Sequence, residues 1–301
     1  MIQHDSNSRP FPRGLAEEIL DRHGLVRPER DHERPRYRAV FLSDVHLGSK
    51  SSKVEFLREF LSGFETERLY LVGDIIDEWK LRRSYYWPGS HARILKRFAE
   101  LADQGVDVVY LTGNHDASLR MPGSLAGARI RCEDEVIHET ADGRRLLVMH
   151  GDAFDAHADG EAWHVRLGEL AYELLLGINT AYNGVARLFG ADYRSLSLYL
   201  KQVVKEAVKA IANFEAGAVE TCGARGLDGI VCGHIHKAEM RRVEGYLYCN
   251  TGDWVESCTA LVEHLDGRLE LLQWRGGRAV PVDPGRRVTA ADPRELQPAA
   301  M

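Results

Sequence analysis

The sequence predicts an α/β fold in which two facing mixed β-sheets, flanked by helices, carry a helical cap insertion. Three observations predict it. β-Branched and aromatic runs alternate with helical patterns early in the chain, adjacent strand patterns broken by turn signals come late, and about eighty mostly helical residues separate His150 from Gly233.

The first strand is predicted over Tyr37–Leu42, followed by helical spacing over Lys53–Leu61, a strand at Arg68–Val72, a helix over His91–Ala102 and a strand at Val106–Thr112. This is the spacing of βαβ crossovers. Two further strands are predicted at Arg145–Met149 and Gly229–Cys232. Strand patterns then follow at Lys237–Val243, Tyr246–Asn250, Thr259–His264 and Arg268–Trp274, with turns at Glu244-Gly245 and Asp266-Gly267. Two sheets accommodate both halves.

The stretch between His150 and Gly233 far exceeds the usual connection of roughly 4–6 residues, which places a cap at about residues 155–225. Within it, Leu170–Phe189 is apolar nearly all round. Leu196–Phe214 is amphipathic, with Leu200, Val203, Val204, Val208, Ile211 and Phe214 on one side and Lys201, Lys205 and Lys209 on another. The bland reading is a helical hairpin packed on itself with a solvated lysine face. The functional reading is a greasy, basic-rimmed cap that holds an acyl chain or touches an anionic membrane surface.

With 301 residues and 44% hydrophobic content, the chain suits one large domain over residues 38–275, between a loose Arg/Pro-rich arm at 1–37 and a flexible tail at 276–301. A formal charge of −6 disfavours a dedicated nucleic-acid binder. The basic-aromatic cluster Arg82, Arg83, Tyr85, Tyr86 and Trp87 reads better as a loop at a site entrance than as a stacking platform. The 5 cysteines are odd in number and lack CxxC spacing, so a disulfide framework and a thiolate zinc site are both disfavoured and a reducing cytosol is expected. The N-terminus lacks the apolar core of a signal peptide, and no long uncharged apolar run occurs, which predicts a soluble protein.

Each of the first five predicted strands ends in a motif: Asp44-Val45-His46, Gly73-Asp74, Gly113-Asn114-His115-Asp116, His150-Gly151-Asp152 and Gly233-His234-Ile235-His236. Alone, Asp-x-His or Gly-Asp is equally a strand-end turn. Jointly they gather carboxylate, amide oxygen and imidazole, a donor set suited to Mn²⁺, Fe or Zn²⁺. Residues i and i+2 of an extended segment share a face, so Asp44 and His46 can reach one ion. His234 and His236 have the same spacing, but two ions ~3.5–4 Å apart could each take one of them. Asp74, with two carboxylate oxygens, is the natural bridge. Asp77 and Asp152 read as turn or supporting residues, and His91, His138, His157 and His264 as surface or core.

In these motifs the chain, over roughly Arg38 to Leu272, resembles the calcineurin-like metallophosphoesterases. The resemblance implies that Asp44, His46 and His236 hold one metal, that Asn114, His150 and His234 hold the other, and that Asp74 bridges them. His115 is then the catalytic histidine and Asp116 its orienting partner. Hydroxide bridging the ions attacks phosphorus in line, without a covalent enzyme intermediate, and His115 assists the leaving oxygen.

The helical cap, His150-Gly151-Asp152 and the late Asn250-Thr251-Gly252-Asp253-Trp254 also resemble the UDP-2,3-diacylglucosamine diphosphatases. That likeness implies manganese, an acylated nucleotide-sugar substrate from lipid A synthesis, and action at the inner face of the bacterial membrane. It places Trp163, His164 and Arg166 among substrate contacts. The pattern departs at one position, where those enzymes carry Gly-Asn-Arg-Asp and this chain has His115. A nucleotide phosphate leaves as a stable anion, with a second pKa of ~6. An alkoxide gains ~10²–10⁴-fold from a general acid, so His115 suits an ester at least as well. The alternatives are therefore a general phosphomonoesterase or phosphodiesterase acting on soluble substrates, and an inactive scaffold that only binds partners. Oligomeric state is not legible.

Overall fold

The computed structural model describes residues 34–120, 129–157 and 193–282. The N-terminal arm, the substrate candidates Trp163, His164 and Arg166, and the apolar stretch Leu170–Phe189 lie outside the described residues.

Strands β1 (Arg36–Leu42), β2 (Glu65–Val72), β3 (Asp107–Leu111) and β4 (Ile130–Glu133) pair in parallel, and β10 (Thr259–Glu263), β11 (Leu269–Arg275) and β12 (Arg278–Pro281) extend this sheet antiparallel from β1. The order of the seven strands is β12-β11-β10-β1-β2-β3-β4. A second sheet of five strands runs β5 (Glu135–Glu139), β6 (Arg145–Met149), β7 (Gly229–Cys232), β9 (Tyr246–Asn250) and β8 (Glu239–Val243). Helices α1 (Val54–Ser62), α2 (Glu78–Arg83), α3 (Gly89–Asp103) and α4 (Tyr193–Arg225) complete the fold.

Alternation along the strands builds three apolar layers, because successive side chains point to opposite faces. In β1, β2 and β3, Val40, Leu42, Leu69, Leu71, Val108 and Tyr110 pack in one cluster with Leu57, Phe60, Ile94 and Phe98 of α1 and α3. Their neighbours Ala39, Phe41, Tyr70, Val72, Val109 and Leu111 meet Leu146, Val148 and Val231 of the facing sheet. The far side of that sheet presents Leu147, Ile230 and Tyr248 to Phe214, Ala218 and Cys222 of α4, which recur every four residues along one helix face.

Two expectations are corrected, and two strands are added. Helix α4 continues to Arg225, well past Phe214, and its last turns are a layer of the sandwich rather than part of a cap. Gly217 lies just beyond the stretch expected to be helical, and glycine weakens a helix. In the fold it lies where an added Cβ would touch Phe154 at 3.4 Å, a place for a small residue. The tail expected from residue 276 first forms β12, paired with β11. Strands β4 and β5 were not expected at all. They are edge strands with mostly polar or half-exposed side chains, so their sequences lack an apolar signature. Asp134 is the single residue by which the chain passes from one sheet to the other.

Candidate metal centre

The five motifs converge because each follows the carboxyl end of a strand, β1, β2, β3, β6 or β7, where loops gather in open α/β sheets. Asp44, His46, Asp74, His234 and His236 all have positive φ, between 50 and 69°. Main-chain bonds hold the turns: Asp44 N donates to Gly73 O (3.1 Å) and His46 N to Asp74 O (2.9 Å). The motif glycines are required by close approach. A Cβ on Gly73 would stand 2.3 Å from the His150 ring, and one on Gly113 2.2 Å from Asp74 Oδ1.

Among the described residues the motif ligands fall into two clusters, each with its donor atoms within 4.8 Å of one another, and a third group of the same tightness, His46 with Asp77 and His115, shares His46 with the first. In the first, Asp44 Oδ1 is 3.1 Å from His236 Nε2, which is 3.3 Å from His46 Nε2. Asp44 Oδ2 accepts the His234 amide at 3.0 Å, so the same carboxylate positions the second cluster. That cluster joins Asp74, His150 and His234, with His150 Nε2 3.3 Å from Asp74 Oδ2. His150 Nδ1 donates to Val72 O at 2.9 Å, which leaves the Nε2 lone pair for an ion. Asp74 Oδ1 accepts the His115 amide at 2.8 Å.

The residues fit divalent ions. Asn114 Oδ1 and His150 Nε2 are buried with no hydrogen-bond partner among the described residues, and such atoms in native proteins are normally satisfied. Oxygen and imidazole donors with no thiolate suit a catalytic rather than a structural metal.

The charges are mutually tuned. Burial raises the pKa of Asp74, but His150, His46 and His115 outweigh it and hold the carboxyl well below the usual range. Asp44 is likewise opposed by burial yet brought down to about 2 by His236 and His150. Burial lowers His236, but Asp44 dominates and lifts it to about 9. His150 rises well above its ordinary value, against burial, through Asp74.

The orienting partner of His115 is Asp77, not Asp116. Asp77 Oδ1 lies 3.1 Å from His115 Nδ1 and also accepts the Lys80 amide at 3.0 Å as the N-cap of α2. The expected turn role is thus real, and one oxygen serves both tasks. Asp116 points away. Its carboxylate accepts from Ile75 N (2.8 Å), Gly113 N (2.7 Å) and Tyr110 Oη (2.6 Å), which ties the β2 and β3 loops together. Adjacency in sequence suggested Asp116, but the turn after β3 sends the two side chains in different directions. Burial lowers His115, and the Asp77 hydrogen bond with the Asp74 charge raises it overall. Sequence also missed Trp79, whose ring stacks on His115.

The late Asn-Thr-Gly-Asp-Trp segment is a buttress. Asn250 Nδ2 donates to Gly233 O at 2.6 Å, Ser43 Oγ to Gly252 O at 2.9 Å, and Trp254 N to Asp44 O at 3.0 Å.

Among curated proteins, the chain is similar to UDP-2,3-diacylglucosamine hydrolase of Xanthomonas oryzae pv. oryzae, with 27% identity over 245 residues, 76% of this chain and 96% of that one. The Neisseria meningitidis protein of that name is 25% identical over 72% of this chain and 89% of its own. That of Blochmanniella pennsylvanica is 30% identical over 122 residues, 39% of this chain, which covers 48% of it. Among solved structures the chain is similar to Vacuolar Protein Sorting 29 from Cryptosporidium parvum (TM-score 0.42, 13% identity, 81% of this chain and 94% of that one). It is also similar to a phosphoesterase from E. coli (TM-score 0.41, 16% identity, 81% and 97%). Residues 37–238, which carry every ligand described above, match the Calcineurin-like phosphoesterase family, and the chain belongs to that family of metal-dependent hydrolases.

Proposed function

We propose that this metallophosphoesterase is a hydrolase of the UDP-2,3-diacylglucosamine type, acting with manganese on an acylated nucleotide sugar at the inner face of a bacterial membrane. The observation that carries the reading is the breadth of the likeness, since the Xanthomonas oryzae relative is covered over 96% of its length. Two divalent ions held by the Asp44 and Asp74 clusters would offset phosphoryl charge and make water nucleophilic near neutral pH. The protein groups do the rest. Water adds to phosphorus as the bond to the leaving oxygen breaks, and His115, held at Nδ1 by Asp77, places Nε2 to give that oxygen a proton.

Membrane contact rests on α4, where Lys205, Val208 and Lys209 are exposed, Val208 to 61%. No helix among the described residues is long and apolar enough to cross a membrane. Surface binding through a basic, partly apolar face is the mode that remains for α4. Exchange of Lys205 and Lys209 for Glu should weaken binding to anionic liposomes, and unchanged binding would leave a purely solvated face.

The His115–Asp77 pair favours one second reading, a phosphoesterase acting on soluble esters, because a general acid benefits a basic leaving group most. A Mn²⁺-supplemented assay separates the two. Preference for UDP-2,3-diacylglucosamine over mono-aryl and bis-aryl phosphate esters by orders of magnitude supports the acylated substrate, and turnover of the esters alone refutes it.

A further inference from the structure

We infer that Asp155 is the positioning residue for His234, fixing its imidazole so that Nδ1 is the atom offered to an ion beside Asp74 and His150. The assignment rests on the dimetal reading. Asp155 Oδ2 lies 2.7 Å from His234 Nε2, and the His234 side chain is 8% exposed. A neutral imidazole carries one proton, and a carboxylate, which only accepts, draws it to the nitrogen it faces. The lone pair is then on Nδ1. His150 is arranged by the same logic with the nitrogens exchanged, its Nδ1 proton going to Val72 O and its Nε2 left free.

The ring is also fixed out of its plane. Phe214 of α4 lies over it with ring centroids 6.0 Å apart and planes at 24°. Phe154, the neighbour of Asp155, meets Phe214 edge-on at 5.4 Å and 89°. Gly151 makes room for this packing, since a Cβ there would stand 2.6 Å from the Phe214 ring. Asp155 and Phe154 belong to the 3-10 turn Asp152–His157, and Phe214 to α4. His234 is therefore held by two segments, one in the loop after β6 and one on α4, and carboxylates that orient metal-binding imidazoles typically contribute about 10–100-fold to affinity.

The test is a Zn²⁺ titration of the full chain against a chromophoric chelator, with melting of the metal-free protein alongside. Wild type should bind two equivalents. Asp155→Ala should weaken one of them roughly 10–100-fold, leave the other unchanged and leave the metal-free melting temperature in place, with Asp155→Asn in between. A merely structural role would instead lower the melting temperature and both affinities together, and two unchanged affinities would also overturn the assignment. Histidine ¹⁵N shifts of the zinc-loaded protein give an independent readout. Zinc on His234 Nδ1 with a proton on Nε2 is expected, whereas zinc on Nε2 would make Asp155 a competitor or a ligand and refute the proposal. A wild-type chain that takes up only one equivalent would overturn the dimetal reading itself.

Discussion

The indole of Trp79 lies over the imidazole of His115, with ring centroids 4.2 Å apart and planes inclined by 29°. Trp79 is the second residue of α2, two positions after its N-cap Asp77, so one short helix grips the ring both in its plane and on its face. Aromatic contacts of this kind contribute ~0.5–1.5 kcal/mol. Trp79→Ala should therefore slow kcat roughly two- to tenfold while metal uptake stays as in wild type, and Trp79→Phe should recover most of the loss. Loss of metal in Trp79→Ala would contradict a role confined to His115.

Asp77 and Asp116 should separate cleanly. Asp77→Asn still caps α2, because asparagine is a good N-cap, but it removes the carboxylate from His115. Turnover of esters with basic leaving groups should fall by up to ~10²–10⁴-fold, and that of activated aryl esters far less. Asp116→Ala strands three buried donors at about 1–3 kcal/mol each and should chiefly lower the melting temperature. Equal sensitivity to leaving group in both variants would refute the assignment.

Metal loading should release protons. In the metal-free fold His236 is lifted to about 9 by Asp44, and His150 is raised by Asp74. An ion needs the unprotonated imidazole, so at pH 7.5 these protons must leave. Calorimetric binding enthalpies should vary with the ionisation enthalpy of the buffer, and the share from His236 should fade as pH rises through about 9. The raised value also means that the stabilisation of the metal-free fold by the His236–Asp44 pair is complete below ~6.5, the ordinary histidine pKa, and is lost as pH rises through about 9. Buffer-independent enthalpies would exclude this protonation state.

Glu263 supplies an acid-side counterpart outside the ligand clusters. It is fully buried on β10 and accepts from Arg38 Nη1 (2.9 Å) and Ala141 N (2.7 Å), while His138 Nε2 lies at 2.8 Å and His138 Nδ1 is 3.0 Å from Tyr70 Oη. The network ties β10 and β2 of one sheet to β5 of the other. Burial raises the Glu263 pKa, but His138, the Ala141 amide and Arg38 bring it below its ordinary value. Its contribution is thus present above ~4.3, the ordinary glutamate pKa, and is lost as pH falls through the lower folded value. Glu263→Ala should destabilise by ~3–5 kcal/mol at neutral pH and flatten the acid limb of the stability curve. An unchanged acid limb would show that Glu263 does not control it.

The ligand strands were legible because buried strands end abruptly in polar motifs. Arg145–Met149 and Gly229–Cys232 fall where short apolar runs ending in the motifs place them. Strands β4 and β5 were not, since an edge strand need not be apolar. The centre was legible to the extent that ligands cluster in sequence: Asp44 with His46, His234 with His236. Partners that meet only in space were hidden. Asp77 reaches His115 across 38 residues and Asp155 reaches His234 across 79, and no local pattern announces either.

The left-handed backbone at Asp44, His46, Asp74, His234 and His236 has a consequence for how the centre is filled. Each such residue with a Cβ costs about 1–2 kcal/mol, and strain of this kind persists only where surrounding structure imposes it. At Asp44, His46 and Asp74 the imposing contacts are main-chain bonds to Gly73 and Asp74 and from Trp254, and at His234 the amide is held by Asp44 Oδ2. The side chains that would receive an ion are thus aimed by backbone turns that the chain's own hydrogen bonds fix.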